Sequence, residues 1–192
     1  MKYSITMPYF NRRKLLLSTI NSISKSKLIK KCEFIIVDDA SDKNENIDDI
    51  NKLYPRLDIK LFKFTKEEKW WCCPVIPHNK AIAEATGDIV IIQCPECFHV
   101  GDILLDVKKR IKENDYLVYG SYALNYSDTI KLLDNIKHKP ILNAVCGFGE
   151  NGGWYQHSVY RNYLFNFCTA IHRVDLLEMG GFDERFGHGT AW

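Results

Sequence analysis

Three short stretches, each placed where an apolar run stops, carry side chains able to hold a nucleotide. Pro8-Tyr9-Phe10-Asn11 closes the first run, Asp38-Asp39 the second, and Cys94-Pro95-Glu96-Cys97 follows Ile89-Val90-Ile91-Ile92, the most apolar run of the chain. Tyr9 or Phe10 offers a ring to stack on a flat base, and Asp38 a carboxylate to accept a hydrogen bond from an imide or a ribose. Glu96 offers a hard oxygen to a divalent cation. Taken together these groups describe a nucleotide diphosphate site. Each also has a plainer role: Asp38 and Asp39 can cap the helix that follows them, aromatic rings near a strand end often only pack, and Glu96 can be an ordinary loop carboxylate.

Other residues invite different chemistry. Cys94 and Cys97 form a C-x-x-C, and with Cys72, Cys73 and His99 they raise a zinc or thiol-redox reading. That signal is weak, because a zinc site usually shows a second spaced pair, whereas Cys72 and Cys73 are adjacent and cannot easily both reach one tetrahedral centre. His188, between Gly187 and Gly189, is a further candidate metal or phosphate ligand, or an exposed tail residue. Trp70-Trp71 can form a sugar platform or pack half-buried.

The elements that must position these groups alternate. Tyr3 to Met7 reads as a buried strand halted at Pro8, and Asn11 as the cap of a helix from Arg12 to about Ser24, with Leu16, Ile20 and Ile23 on one stripe. A strand at Glu33–Val37, a polar helix near Ile47–Tyr54, a strand at Leu57–Phe64 and a short helix at Pro77–Ala85 follow. Four consecutive β-branched residues from Ile89 to Ile92 argue for a central strand buried on both faces. Gly101–Lys112 reads as a helix, Tyr116–Tyr119 as a strand, Cys146–Tyr160 as an aromatic, Gly-rich loop over a cleft, Phe165–His172 as a strand and Val174–Met179 as a helical turn or two. Strands and helices alternating at this spacing predict an α/β, doubly wound, mostly parallel sheet with helices on both faces. In such a sheet ligands bind beyond the carboxyl ends of the strands, where all three stretches fall.

Composition limits the partners. A net charge of +2 from 26 basic and 24 acidic residues is too balanced for a protein that grips nucleic acid. No segment approaches the ~20 apolar residues of a membrane span, and the first residues lack the features of a secretory signal. Seven cysteines, an odd number in a chain of 192 residues that does not need disulfides, fit a reducing compartment. The expectation is one domain over residues 1–192 and a cytoplasmic location.

Four stretches in order resemble the inverting glycosyltransferases of family two, which have the GT-A fold, a Rossmann-like sheet. They are Met7-Pro8-Tyr9-Phe10-Asn11-Arg12, Ile35-Ile36-Val37-Asp38-Asp39-Ala40-Ser41, the stretch from Asn79 to Asp88, and Met179-Gly180-Gly181-Phe182-Asp183-Glu184-Arg185-Phe186. The resemblance implies a nucleotide-diphosphate sugar donor, UDP above all, with Mn²⁺ or Mg²⁺, and transfer to an acceptor hydroxyl on a sugar, lipid or protein. It implies that Pro8 and Phe10 line the base pocket, that Asp38 bonds the base, with Asp39 mainly structural, and that Asn79 and His78 sit near the ribose or phosphates. Where the family carries a pair of aspartates after the central strand, this chain has Gln93-Cys94-Pro95-Glu96-Cys97, leaving Glu96 as the ligand. The family's catalytic base follows the Gly-Gly-Phe-Asp-Glu segment, and the sequence reaches Trp192 before any such acidic pair. The expectations are therefore a donor-binding region of a longer enzyme or a catalytically silent nucleotide-sugar-binding module.

Overall fold

The computed structural model describes residues 1–135 and 139–189; Trp192 lies outside the described residues. Strands β1 (Tyr3–Tyr9), β2 (Cys32–Asp39) and β4 (Ile89–Gln93) are buried along their whole length. With β3 (Asp58–Phe64), β5 (Tyr116–Val118) and β8 (Cys168–His172) they form a six-stranded sheet in the order β3-β2-β1-β4-β8-β5. β1 pairs in parallel with β2 from Tyr3 opposite Cys32 to Tyr9 opposite Asp38, and with β4 from Tyr3 opposite Ile89 to Thr6 opposite Ile92. That register sets Tyr9 and Asp38 side by side at the carboxyl edge.

Continuous β-branched runs need apolar cover on both sides, and the period-2 alternation of the strands supplies two cores. On one face Ile5, Met7, Tyr9, Phe34, Ile36 and Ile91 meet Leu16, Ile20 and Ile23 of α1 (Arg13–Ile23) and Leu104 and Val107 of α4 (Ile103–Arg110). On the other, Ile35, Val37, Val90, Ile92 and Ile171 meet Ala81 and Ile82 of α3 (Val75–Ala83) and Leu176 of α6 (Arg173–Glu178). Between β1 and β4 the strand order reverses. At such a reversal an open α/β sheet leaves a crevice beyond the carboxyl ends of its strands, the place where ligands bind.

The amino edge is closed by a polar knot. Glu33, fully buried, accepts from Ser4 Oγ at 2.5 Å, from Thr86 N at 2.7 Å and from Lys60 Nζ at 2.8 Å. Burial alone pushes its carboxyl up, but the bonds from Lys60, Ser4 and Thr86 outweigh burial and hold it far below the usual carboxylate range. Gly87 is required beside it: a Cβ there would lie 2.7 Å from the backbone nitrogen of Ser4.

The sheet is mostly parallel, as expected, with β8 antiparallel to both β4 and β5. Several details differ from the sequence reading. The polar helix near Ile47–Tyr54 shrinks to α2 (Ile50–Leu53). Asn11 does not cap α1; it sits at φ 48°, and the helix's first free N–H, on Arg13, is taken by Glu45 Oε2 at 2.8 Å. The loop expected at Cys146–Tyr160 contains β7 (Gly153–Gln156), paired with β6 (Ser121–Ala123) in a second, two-stranded sheet, with α5 (Tyr126–Asp134) between them. A four-residue strand rich in Gly and aromatic residues shows no alternation from which to read it.

Candidate functional site

The loops after β1 and β2 are laced into one wall. Asn11 N donates to Ser41 Oγ at 3.1 Å, Asn11 Nδ2 to Asp42 Oδ2 at 2.8 Å, and Asp42 N back to Asn11 Oδ1 at 2.8 Å. The left-handed Ala40, at φ 64°, turns the β2 loop so that Ser41 N donates to Asp38 Oδ1 at 3.0 Å. The second oxygen of Asp38 has no protein partner among the described residues. Asp39 is the reverse case, since Trp71 Nε1 donates to its Oδ1 at 2.8 Å and Lys69 Nζ to its Oδ2 at 2.8 Å. Adjacent strand residues point to opposite faces, so one Asp of the doublet is open and the other is saturated.

The two rings of this edge divide similarly. Tyr9 is core, 1% exposed, its hydroxyl donating to the Glu45 carbonyl and its pKa pushed up to about 12 by burial first and then by the Glu45 charge. Phe10 is 41% exposed, with Lys69 Nζ 4.1 Å from its ring centre. Of the two, Phe10 is the ring that presents a face at the surface. Pro8 is buried within β1 opposite Val37.

Across the crevice, the loop after β4 is a tight turn built on Gln93. Its Nε2 donates to the carbonyls of Cys94 and Cys97 at 2.9 and 3.0 Å, and its Oε1 meets His99 Nε2 at 2.9 Å. With Cys97 N bonded to the Cys94 carbonyl at 3.1 Å, the turn holds Glu96 at the rim. There Glu96 Oε1 meets Arg12 Nη1 of the β1 loop at 2.6 Å, bridging the two sides of the crevice. Arg12, Lys69 and Gln93 have no role assigned from the sequence; Arg12 and Gln93 end and begin stretches singled out for their neighbours, but Lys69 sits in an ordinary run of charged residues. The C-x-x-C serves this turn. All seven cysteines are free, and among the described residues no three His, Cys, Asp or Glu side chains are gathered to hold a metal, so the zinc reading finds no ligand set. Cys97 is held as a thiol, its pKa raised by its hydrogen bond with Cys94 and by burial.

The oxygen of Glu96 suits Mg²⁺ or Mn²⁺ in type, but it is one carboxylate, so a cation here must draw its other oxygens from its ligand and from water. The ring contact of His188 is with Trp70, at 4.8 Å, and not with Glu96. The 3₁₀ turn Glu184–His188 that carries His188 is fixed to the tryptophan loop by Cys72 N donating to the Gly187 carbonyl at 2.8 Å.

His78 and Asn79 on α3 face the last motif. Asn79 Nδ2 donates to the Phe182 carbonyl at 2.8 Å and to Glu184 Oε1 at 3.0 Å, while Phe182 N donates to Asn79 Oδ1 at 2.8 Å. Gly181 sits at φ 74°, and a Cβ on it would come within 2.6 Å of Asn79 Oδ1. The Asn79 stretch and the Gly-Gly-Phe-Asp-Glu stretch are thus two halves of one clamp. His78 is buried against the Phe182 ring at 4.8 Å, with Nδ1 unpartnered, and burial pushes its pKa down to about 4.

This geometry can be set beside known proteins. The model of glycosyl transferase family 2 matches residues 4–169. The chain belongs to that family. Among solved structures it is similar to the mannosyltransferase PcManGT of Pyrobaculum calidifontis in complex with GDP-Man and Mn²⁺, with a TM-score of 0.62 and 19% identity over 95% of this chain and 47% of that one. It is also similar to TarS 1-349 of S. aureus in complex with UDP, with a TM-score of 0.60 and 16% identity over 97% of this chain and 52% of that one. A third similar structure is GalNAc-T7 with UDP, GalNAc and Mn²⁺, with a TM-score of 0.55 and 17% identity over 97% of this chain and 37% of that one. These likenesses establish the GT-A fold for this family 2 chain. The chain spans about half the length of the first two. No curated protein matches it. Among the described residues no helix of this family 2 chain is long and apolar enough to cross a membrane.

Proposed function

We propose that this family 2 chain is the donor-binding region of a glycosyltransferase that binds a nucleotide-diphosphate sugar, UDP best, together with Mn²⁺ or Mg²⁺. The observation that carries this reading is the half-open Asp38. It is a carboxylate 4% exposed at the carboxyl end of β2, with one oxygen fixed by Ser41 N and the other without a protein partner among the described residues. A buried, fixed acceptor recognises a donor such as the N3–H of a uracil ring, and the exposed Phe10 beside it supplies a stacking face. Pro8, Tyr9 and Asp39 support that pocket from within.

From β1 the crevice leads to Arg12 and Glu96, where the diphosphate belongs. Arg12 supplies positive charge, and Glu96 is the carboxylate that would hold the cation. A bound cation would neutralise charge that grows on the leaving phosphate. Asn79 and His78 act in this reading by fixing the Gly-Gly-Phe-Asp-Glu turn, and His188 by packing the tryptophan loop. The acceptor hydroxyl must give up its proton to a base that the sequence motifs do not identify. The alternative of a silent nucleotide-sugar-binding module shares the donor site and differs only in turnover.

Calorimetry with UDP, with and without Mn²⁺, tests the reading. The expected result is binding that Mn²⁺ strengthens, and in Glu96→Gln at least a tenfold loss of the Mn²⁺ enhancement with metal-free UDP affinity kept within about twofold. Absence of UDP binding by the wild type removes the proposal. Acceptor-dependent UDP release separates the enzyme from the silent module.

A further inference from the structure

The carboxyl rim does not end at Glu96. Past β4 come β8 and β5, and over their rim ends stands an aromatic module that the donor reading leaves unused. Its footing is firm. Gln156 of β7 donates to the carbonyl of Tyr119 at the end of β5 and accepts from Phe165 N at 2.6 Å. Cys94 N, in the Glu96 turn, donates to the Phe167 carbonyl at 2.8 Å. The module is therefore bonded to the same turn that presents Glu96.

Arg161 lies within it. Its guanidinium carbon is 5.2 Å from the ring centre of Phe148, 5.1 Å from that of Tyr155 and 4.8 Å from that of Tyr163. Its loop is closed by His157 N and Arg161 N each donating to the other's carbonyl, at 2.6 and 3.0 Å. Among the described residues Arg161 has no carboxylate partner. Phe148 and Tyr163, by contrast, are 56% and 54% exposed. A planar cation stacked among rings keeps its N–H edge for an in-plane anion, and exposed rings beside it offer faces to the C–H surface of a sugar. A lysine would not make this arrangement, because an ammonium has no plane to stack.

Resting on the donor reading above, we infer that Arg161, Phe148 and Tyr163 form the acceptor subsite, and that the acceptor sugar carries an anionic group, a phosphate or a carboxylate. Strand spacing supports the placement. β8 is three strands from β2, about 14 Å at ~4.8 Å per strand, which leaves room for a nucleotide diphosphate between Asp38 and the module. The donor sugar then points toward the ring cluster.

The test is binding of α-D-glucose 1-phosphate, D-glucuronate, inorganic phosphate and methyl α-D-glucoside, by saturation-transfer NMR and calorimetry, with and without saturating UDP and Mn²⁺. Both charged sugars should bind at least tenfold more tightly than the neutral glucoside and than inorganic phosphate, with or without UDP. Arg161→Gln should weaken them at least tenfold, and Arg161→Lys should restore only part of that loss. UDP affinity should stay within twofold in both variants, which also reports correct folding. Failure of both charged sugars to bind, equal binding of the neutral glucoside or of inorganic phosphate, displacement of the charged sugars by UDP, or indifference to Arg161→Gln overturns the inference. Charged sugars that bind through Arg161 while UDP does not bind would sink the donor reading and leave the anionic sugar site standing.

Discussion

Replacing Asp38 by asparagine isolates one atom of the proposed donor pocket. In the wild type, Oδ1 of Asp38 accepts from Ser41 N at 3.0 Å, and only the other oxygen is available to a base. The substituted amide keeps an oxygen for Ser41 and turns an N–H₂ toward the pocket, so the fold keeps its turn while the recognising atom changes from acceptor to donor. One charge-assisted hydrogen bond to a buried carboxylate contributes about 1.5–3 kcal/mol, or roughly 10- to 150-fold in affinity. Uracil presents N3–H, a donor, and should therefore lose that much. Cytosine presents N3 as an acceptor, so CDP should lose far less or gain. The assay is paired calorimetry of UDP and CDP on wild type and Asp38→Asn, with thermal melts to show that stability moves by less than about 1 kcal/mol. UDP affinity unchanged within twofold, or UDP and CDP falling in parallel, would refute the assignment of Asp38 to the base.

Two predictions concern the clamp between α3 and the Gly-Gly turn. Gly181→Ala places a methyl 2.6 Å from Asn79 Oδ1 on a left-handed backbone, and should destabilise the fold by roughly 1–3 kcal/mol; a melting temperature within about 1 °C of wild type would show the clamp to be unimportant. His78, whose folded pKa is lowered to about 4, must stay neutral in the native state while the unfolded chain takes up a proton near pH 6.5, so its burial costs stability as pH falls from about 6.5 toward 4. His78→Leu should therefore reduce the drop in unfolding free energy between pH 7 and pH 5 by about 2 kcal/mol, read from urea titrations at the two pH values. An unchanged drop would place the pH dependence on other groups.

The placement of the candidate site at the carboxyl rim was legible in the residues because it depends on local pattern. The apolar runs at β1, β2 and β4, the stop signals that end them and the carboxyl-end rule were enough to put Phe10, Asp38 and Glu96 on one rim. The family resemblance also implies that the acidic doublet is not two equal residues, with Asp38 toward the base and Asp39 mainly structural. Sequence could not say what each would meet. That Asp39 is closed by Lys69 and Trp71, that Glu96 is bridged by Arg12, and that Asn79 serves the Gly-Gly turn about a hundred positions on are long-range facts, set by how the two faces of the sheet are covered. The aromatic region shows the limit best. Its rings were visible as composition, but the pairing of β7 with β6 and the antiparallel insertion of β8 between β4 and β5 decide that they gather at the rim beside Glu96, around a single guanidinium. Such pairing is decided by backbone hydrogen bonds between distant segments and leaves no periodicity in either one.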